Sequence, residues 1–264
     1  MNRPISGRAI TSLANETVKA VRALHLRKAR EESGLFLAEG LKIVTEAVEL
    51  GRAPRILLFS ARAADHPLLR RAAAVAGEAI EVSEAILSKI SRRDNPQTVL
   101  GVFEQEFAGL GDIDQGGLVV GLEEVRDPGN LGTIIRTIDA AGCSGVILIG
   151  ETCDPYSVEA VRATMGSIFA TPIARASREE FLAWRAAWPG RVIGTLLTAT
   201  TDFRAASYER PSLILLGAEQ SGLTPELAAA CDITVKIPML GRADSLNLAV
   251  AAGVMIYAAT PQRP

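Results

Sequence analysis

Polar residues that could do chemistry stand in three segments, each of which directly follows a continuous apolar run. The first segment carries the amide of Asn130 and the guanidinium of Arg136. Asp127-Pro-Gly is typical of a turn, so we expect Asn130 to be the N-cap of a helix and Arg136 to lie in its second turn. This pair could bind a polar ligand beside a strand end; the alternative is an ordinary capped helix with an arginine on its surface.

The second segment is a glycine-bounded turn around Glu219, directly after the apolar run Leu213–Leu216. Gly217 and Gly222 permit tight backbone turns, so that amide and carbonyl groups of the main chain could reach a ligand. An acidic residue between two glycines, next to a buried strand, suits a ligand site; the alternative is a plain surface turn.

The third segment follows the apolar run that ends at Ile237 and contains Ser245 and Asn247. We expect a small, apolar helix to begin at Ser245 and to run to Ala259, packed closely on both sides because its faces are rich in alanine. Asn247 then lies inside a helix, where an asparagine is unfavourable unless its amide has a partner. The pattern therefore predicts that Asn247 is hydrogen-bonded.

Other common chemistries lack the residues that they need. No G-x-G-x-x-G follows a strand and no G-x-x-x-x-G-K-[ST] occurs, which disfavours hydride transfer and nucleoside triphosphate hydrolysis. The 2 histidines and 3 scattered cysteines provide neither a disulfide framework nor metal-ligand spacing, so a zinc site and a histidine-based triad are disfavoured. We expect Cys143, Cys153 and Cys231 to be small buried apolar residues.

Length and composition are those of a soluble globular protein. The chain has 264 residues, 48% hydrophobic and 22% charged, which suffices for one large domain or two modest ones and excludes disordered and fibrous classes. No apolar run approaches the ~20 residues needed to cross a bilayer, and the first residues lack the apolar stretch of a secretory signal. The expected compartment is the cytoplasm.

Helix and strand patterns alternate along the chain, which predicts an α/β fold. Beyond residue 117 the predicted strands are almost all continuously apolar, as in a parallel sheet that is buried on both faces. These strands are Leu118–Leu122, Gly145–Ile149, Arg191–Leu196, Ser212–Gly217 and Ile233–Ile237. Ligands of open α/β sheets bind beyond the carboxyl ends of the strands, which is where the three polar segments stand.

Charge divides the chain into two parts. Residues 1–110 carry 16 Lys+Arg against 13 Asp+Glu, whereas residues 111–264 carry 12 against 17, a net +3 and −5. The sign changes at Glu104–Gly117, which has the composition of a linker, so we expect one domain over 1–106 and another over 117–264. A predicted helix over Thr11–Arg30 is basic and could contact phosphates; the alternative is a solvated helix face.

In this order and spacing, the three polar segments resemble the signature motifs of the SpoU/TrmH family of SPOUT RNA ribose methyltransferases. The matching stretches are N-L-G-T-I-I-R-T-I-D-A-A-G at Asn130–Gly142, L-G-A-E-Q-S-G-L at Leu216–Leu223 and I-P-M…D-S-L-N-L-A-V-A-A-G at Ile237–Gly253. A further stretch, Asp154–Ser167, is similar to a family segment that lies near the substrate. The stretches Asn15–Lys19, Arg27–Arg30 and Phe36–Gly40 resemble the RNA-binding domain of many members.

The resemblance implies a C-terminal α/β domain with a deep trefoil knot and a mostly parallel sheet, joined to a small α/β RNA-binding domain that is ribosomal-protein-like (L30e-like). It implies S-adenosyl-L-methionine as cofactor, a homodimer formed through the C-terminal domain, no metal and no membrane. The implied reaction is methylation of a ribose 2′-hydroxyl in structured RNA, ribosomal RNA rather than transfer RNA because of the added N-terminal domain. Chains ordinarily avoid threading loops, so physical reasoning alone argues against a knot.

By position in the motifs and in the basic N-terminal stretch, we expect three sets of site residues. The catalytic residues that the resemblance implies are Asn130, Arg136, Glu219, Ser245 and Asn247. The implied cofactor contacts are Thr195, Gly217, Ile237 and Leu246. The residues expected to contact RNA are Arg22, Arg27, Lys28, Arg30 and Arg162.

In the implied reaction a ribose oxygen attacks a methyl group on a sulfonium, so positioning and the removal of one proton are the main requirements. Arg136 has two possible roles. It could act as the base once the cofactor or a substrate phosphate has activated it, or, because arginine is almost always protonated, as a cation that stabilises the developing alkoxide. Glu219, Ser245 and Asn247 are expected to orient Arg136 and the ribose.

Two other functions are alternatives to the enzyme. An RNA-binding protein could keep the fold without turnover, but such a protein is expected to have lost polar residues of the motifs, and Arg136, Glu219, Ser245 and Asn247 are all present. A nucleotide-binding protein unrelated to RNA would require the basic N-terminal stretch to be incidental. The enzyme is therefore the favoured interpretation.

Overall fold

The computed structural model describes residues 8–260, which form two compact units. The first unit consists of the chain up to Gln105 and the segment Tyr156–Phe169. The second consists of Glu106–Pro155 and the chain from Ala170 onward. Sequence patterns place residues 156–169 in the second domain, whereas their contacts group them with the first unit. The first unit therefore contains a segment that comes from within the chain of the second.

Helices and strands largely alternate over residues 8–260. The helices are α1 (Glu16–Ala23), α2 (Arg27–Ser33), α3 (Leu41–Glu49), α4 (Pro67–Val75), α5 (Glu84–Ser91), α6 (Pro128–Ala140), α7 (Val158–Thr164), α8 (Arg178–Arg185), α9 (Pro225–Ala229) and α10 (Leu248–Ala259). The strands are β1 (Arg8–Ile10), β2 (Leu35–Glu39), β3 (Ile56–Phe59), β4 (Glu78–Val82), β5 (Val99–Glu104), β6 (Leu118–Glu123), β7 (Gly145–Ile149), β8 (Ile173–Ala176), β9 (Arg191–Thr195), β10 (Thr201–Asp202), β11 (Ser212–Leu216) and β12 (Ile233–Lys236). Within this part of the chain, no helix has the length and apolar character to cross a bilayer.

The first unit is built on a five-stranded sheet with the order β1-β4-β3-β5-β2. β5 runs antiparallel to its neighbours β3 and β2, and the other pairs are parallel. An aromatic cluster attaches the segment 156–169 to this sheet: the ring of Phe36 lies 4.7 Å from that of Tyr156 and 5.6 Å from that of Phe169, between centroids. Because aromatic side chains bury large apolar areas, this cluster explains why the segment belongs to the first unit.

The predicted single helix over Thr11–Arg30 is wrong: it is two helices, α1 and α2, separated by a turn. Leu26, just before α2, adopts an extended conformation with φ −91° and ψ 130°. The buried Arg30 donates a hydrogen bond to the carbonyl oxygen of Leu24 (2.7 Å), a main-chain group at the break. The side chain thereby provides a partner of the kind that the carbonyls at a helix end need. Arg30 stabilises the break between the helices.

The second unit is built on a seven-stranded sheet with the order β10-β12-β9-β11-β6-β7-β8, in which every pair is parallel. β6, β7 and β11 are buried throughout, as their continuous apolar runs predict. The five predicted strands are confirmed, with ends that differ by one residue or less. The sequence pattern does not predict β8, where Arg175 interrupts the apolar run, or β10, which has 2 residues.

Two helices of the second unit begin elsewhere than the sequence predicts. α6 begins at Pro128 because Asp127 is its N-cap and accepts a hydrogen bond from the main-chain nitrogen of Asn130 (2.6 Å). Proline is favoured at the first helical position, where its fixed φ suits the helix. α10 begins at Leu248, with Asn247 rather than Ser245 at its start. The prediction that Asn130 is an N-cap is therefore wrong, and its side chain is available for contacts outside the helix.

We expect Gly217→Ala to destabilise the second unit. β11 ends at Leu216, and a Cβ on Gly217 would overlap the main chain of Gly222 and Leu223. Overpacking costs about 1–3 kcal/mol, so the midpoint of thermal unfolding should fall by roughly 3–10 °C. Gly111→Ala is the matched control, because a Cβ there meets nothing within 4 Å. A Gly217→Ala protein as stable as the control would contradict this close approach of the main chain.

Candidate active site

Three neighbouring strands of the second unit end at the same level of the sheet and open into a cavity. Thr195, at the end of β9, pairs with Leu216 at the end of β11 and with Val235 of β12. The chain leaves each strand just beyond these residues, and the connections line a cavity of about 420 Å³. Open parallel sheets bind their ligands at this edge.

The cavity is lined by apolar side chains and by a loop bounded by glycines. The apolar lining includes Leu196, Leu216, Leu223, Ile237 and Leu248. The loop folds back on itself through a hydrogen bond from the main-chain nitrogen of Gly222 to the carbonyl oxygen of Ala218 (2.9 Å). This fold requires that Gly217 has no side chain. The cavity therefore offers an apolar surface beside a tightly folded stretch of main chain.

A buried polar group of the cavity wall lacks a partner within the described part of the chain. The Oγ1 of Thr195 is buried and accepts or donates no hydrogen bond among residues 8–260. A buried hydroxyl without a hydrogen bond costs about 1–3 kcal/mol. Its position in the cavity wall therefore favours a ligand that forms the missing hydrogen bond. The four residues implied as cofactor contacts, Thr195, Gly217, Ile237 and Leu246, all line this cavity.

Beside the cavity, three polar side chains from distant parts of the chain form a continuous set of hydrogen bonds. Nδ2 of Asn130 donates to Oε1 of Glu219 (3.1 Å), and Nδ2 of Asn247 donates to Oδ1 of Asn130 (2.9 Å). Oδ1 of Asn247 accepts from the main-chain nitrogens of Ala249 (2.9 Å) and Val250 (3.3 Å), which fixes the orientation of its amide. The structure thus brings three of the five implied catalytic residues into contact.

Two helix starts and one loop hold this set of hydrogen bonds in place. α6 and α10 pack against each other, with Asn130 in the first turn of α6 and Asn247 at the start of α10. Helix starts leave main-chain N–H groups without helical partners, so the amide of Asn247 both caps α10 and contacts Asn130. Glu219 comes from the loop after β11. The predicted hydrogen-bonded state of Asn247 is confirmed, although Asn247 is an N-cap and not an interior residue.

The other two implied catalytic residues are placed differently. Ser245 is exposed and lines the cavity, in the connection that leads to α10. Arg136 is exposed on α6 and has no hydrogen-bonded or ionic partner within the described part of the chain. Arg136 makes no hydrogen bond to Asn130, Glu219 or Asn247, and its exposed guanidinium is accessible to an anion from outside.

The cysteines of the second unit remain thiols at neutral pH. Burial raises the pKa of Cys153 to about 12, and the negative charges of Asp127 and Glu219 act in the same direction. Burial also raises the pKa of Cys143 to about 11 and that of Cys231 to about 12. A thiol in this state is a poor nucleophile. All three are partly rather than fully buried, which corrects the sequence prediction.

Residues 8–260 contain no group of three or more His, Cys, Asp or Glu that could hold a metal ion.

Three of the residues expected to contact RNA are exposed in the first unit. Arg22 lies on α1, and Arg27 and Lys28 lie on α2. Arg27 and Lys28 pair with Glu31 and Glu32 one turn later, at 2.7 Å and 3.8 Å. Such surface pairs contribute only about 0–1 kcal/mol, so a phosphate can replace the carboxylates.

The other two expected RNA contacts are part of the fold. Arg30 is 3% exposed and hydrogen-bonded to the carbonyl oxygen of Leu24, so it presents no charge to a phosphate. Arg162 on α7 is ion-paired with the buried Glu39 and donates to the carbonyl oxygen of Ser91 (2.7 Å). A buried carboxylate without a partner is costly, and Arg162 supplies that partner. Burial therefore corrects the expectation for Arg30, whereas an RNA contact of Arg162, whose side chain is 26% exposed, stays a prediction.

Sequence reasoning missed several residues of the cavity wall. Leu197, Thr198 and Met239 line it, in the connections that follow β9 and β12. A usable signal was present, because these residues follow buried strands just as the predicted segments do. Leu197 is also 66% exposed, which is unusual for a large apolar side chain and typical of a binding surface.

Two family models match the chain. The model described as the SpoU rRNA Methylase family matches residues 117–257, a range that contains every residue of the cavity wall. The model described as the MRM3-like substrate binding domain matches residues 15–101, which lie in the first unit.

Known proteins match over nearly the whole chain. A crystal structure of an AdoMet-bound rRNA methyltransferase from Sinorhizobium meliloti is 48% identical, covers 96% of this chain and 97% of its own, and has a TM-score of 0.89. The 23S rRNA (guanosine(2553)-2′-O)-methyltransferase RlmP of Bacillus subtilis is 29% identical over 94% of this chain and 97% of its own. A 23S rRNA (uridine(2479)-2′-O)-methyltransferase of Streptomyces viridochromogenes is 34% identical over 90% of this chain and 86% of its own. The motifs, the strand-end cavity and these matches together show that the chain belongs to the SpoU family of rRNA methylases.

Proposed function

We propose that this protein transfers the methyl group of S-adenosyl-L-methionine to the 2′-hydroxyl of a ribose in ribosomal RNA. The observation that carries the proposal is the strand-end cavity with Asn130, Glu219 and Asn247 hydrogen-bonded beside it. Ribosomal RNA is the favoured substrate because two relatives that match most of the chain are named as 23S rRNA 2′-O-methyltransferases. Transfer RNA is the alternative substrate.

The cavity has chemical features that suit this cofactor. Its leucine and isoleucine walls fit the apolar faces of an adenine ring, and the unpartnered hydroxyl of Thr195 fits a polar group of the ligand. Gly217 lets the main chain of the loop come close to a ligand. The exposed carboxylate of Glu219 on the wall complements a positive charge. The residues that would hold the cofactor are Thr195, Gly217, Ile237 and Leu246.

When bound, the cofactor supplies a methyl group on a sulfonium centre. The residues of the chain must then position the ribose and assist the loss of its proton. Asn130 is held at both ends of its amide by Glu219 and Asn247, which makes these three side chains a rigid support for the substrate. Ser245, at the cavity, adds a hydroxyl that can donate and accept.

Arg136 supplies the positive charge for this step. Arginine remains protonated in proteins, so we assign its guanidinium to the alkoxide that develops on the ribose oxygen as the hydroxyl proton passes to solvent water. Its exposed position on α6 makes it accessible to the substrate. In the other role, as a base activated by the cofactor or by an RNA phosphate, the guanidinium would have to lose a proton. An Arg136→Lys variant separates the two roles.

We infer that the second unit forms a homodimer. α10 has no charged residue, yet Val250 is 52% and Tyr257 is 57% exposed on it. A helix that is apolar on all sides is ordinarily buried, so the outer face of α10 fits a second copy of the chain.

The family resemblance further supports a trefoil knot in this unit and an L30e-like, RNA-binding first unit. We place the protein in the cytoplasm with its RNA, with no metal and no membrane partner.

Methyl-labelled S-adenosylmethionine and total RNA from a strain that lacks the protein test the reaction directly. We expect label in ribosomal RNA at a ribose 2′-oxygen, mapped as a nucleotide that resists alkaline cleavage on its 3′ side. Label in transfer RNA would change the substrate class. Label on a base, or cofactor binding without any transfer to RNA, would contradict the proposed reaction; the second result would favour a non-catalytic RNA-binding protein.

We expect Arg136→Ala to keep its affinity for the cofactor and to lose about 100-fold or more in kcat, the usual effect of removing a group that stabilises an oxyanion. Arg136→Lys keeps the charge and should recover part of the rate without a new dependence on pH. A base role predicts instead that the lysine variant gains activity as pH rises, because lysine loses its proton more easily. Arg191→Ala, exposed at the amino end of β9, is the control. Near-normal turnover of Arg136→Ala would remove Arg136 from the mechanism.

Replacing Arg22, Arg27 and Lys28 together by Ala should weaken RNA binding and flatten its salt dependence, because each cation that pairs with a phosphate releases counterions from the RNA. The slope of log K against log salt concentration should fall by about one for each phosphate interaction that the variant removes. Arg71→Ala is the control: this exposed arginine on α4 is paired with Glu49. Unchanged affinity and salt slope in the triple variant would place the RNA surface elsewhere.

A further inference from the structure

A buried carboxylate, Glu123, stands at the end of β6, outside the cavity wall and outside the hydrogen-bonded set of Asn130, Glu219 and Asn247. It is 1% exposed. Such a carboxylate is costly unless it is both paired and hydrogen-bonded. Glu123 meets this condition through three hydrogen bonds, all from other segments of the second unit.

Two of these hydrogen bonds come from Thr224. Its main-chain nitrogen donates to Oε2 of Glu123 (2.8 Å), and its Oγ1 donates to Oε1 (2.8 Å). The same hydroxyl oxygen accepts from the main-chain nitrogen of Leu227 (3.4 Å), because Thr224 is the N-cap of α9. Thr224 is therefore fixed between the carboxylate and the helix.

Thr224 directly follows the cavity loop, residues 217–223, and is the N-cap of α9. The loop leaves the sheet after Leu216, and residues 217–223 all line the cavity. β6 is the neighbour of β11, with Leu122 paired to Leu216, so Glu123 lies next to the point at which the loop departs. The sheet fixes one end of the loop, and the carboxylate of Glu123 fixes the other.

The third hydrogen bond comes from Arg178, in the first turn of α8, whose Nε donates to Oε1 of Glu123 (3.1 Å). A cation at the start of a helix is disfavoured by the helix dipole. The carboxylates around it, Glu123, Glu124 and Glu226, account for its position there. The hydrogen bond with Glu123 raises the pKa of Arg178, which keeps the guanidinium charged. Arg178 thus balances the buried negative charge.

We propose that Glu123 is a positioning residue for cofactor binding: without touching the ligand, it acts through Thr224 to hold Gly217–Leu223 in the shape that closes one side of the cavity. The inference rests on the proposed function, because S-adenosylmethionine is the ligand assigned to the cavity. It identifies a residue that sets cofactor affinity and takes no part in methyl transfer.

Glu123→Gln keeps the size of the side chain but presents an NH₂ group where Thr224 and Arg178 already donate. Because a buried donor then faces a donor, we expect the dissociation constant for S-adenosylmethionine, measured by calorimetry, to rise by about tenfold or more. We expect kcat at saturating cofactor to stay within about twofold of wild type, since a loop that has bound the cofactor adopts its wild-type shape and returns Glu219 to Asn130.

Two variants of Thr224 provide matched controls. Thr224→Ser keeps both donors and should bind the cofactor like wild type, whereas Thr224→Val loses the hydroxyl and should bind more weakly. If Glu123 acts through Thr224, the effects of Glu123→Gln and Thr224→Val will not add in the double variant. Thr224 is only partly buried, so the serine and valine pair carries the test even if Glu123→Gln fails to fold.

The outcomes separate this inference from the proposed function. A purely structural role of Glu123 would lower the number of binding sites per chain and leave the dissociation constant unchanged, which would overturn the inference. Additive effects, or a fall in kcat with unchanged affinity, would overturn it too. A wild-type protein that binds no S-adenosylmethionine would overturn the proposed function instead.

Discussion

The amide of Asn130 is the interaction on which the candidate active site depends. It joins Glu219, 89 residues away along the chain, to Asn247, 117 residues away. Each hydrogen bond contributes only about 0.5–1.5 kcal/mol, but both ends of the amide are occupied, so a shift of any one segment leaves polar groups unpaired. The parallel sheet makes the meeting possible, because the chain enters α6, the cavity loop and the connection to α10 from the carboxyl ends of strands in one sheet.

The cavity provides a mainly apolar surface, whereas the hydrogen-bonded set of Asn130, Glu219 and Asn247 provides a polar one. The apolar wall and the main chain of the loop suit the flat, uncharged part of a ligand, and the carboxylate of Glu219 belongs to both surfaces. At Gly217 the main chain of the loop lies too close to Gly222 and Leu223 for any side chain to fit, so side-chain packing at this position cannot hold the loop in shape. Its second anchor is the buried pair of Glu123 and Thr224, so a carboxylate outside the cavity controls the geometry inside it.

Most strands and the place of the site were predictable from the sequence, whereas the burial of charged side chains was not. Continuous apolar runs locate the parallel strands, and the chain beyond their carboxyl ends contains the cavity residues. Asp127 and Asn130 are equally good N-caps by residue type, and Pro128 decides between them. Nothing local marks Arg30 as buried or Arg162 as ion-paired, because their partners are a main-chain carbonyl oxygen and a carboxylate that only the folded unit brings near. The roles expected of the polar motif residues follow from the family resemblance, and only the structure shows the hydrogen bonds among them.

Hydrogen–deuterium exchange with and without S-adenosylmethionine is the most direct measurement of whether separate segments form one cofactor site. We expect the cofactor to slow exchange in three stretches that are far apart in sequence, residues 195–198, 216–223 and 237–248, and to leave the strands of the first unit unchanged. Protection confined to one of these stretches, or absent from all of them in a folded protein, would contradict the convergence of these three stretches on a single bound cofactor.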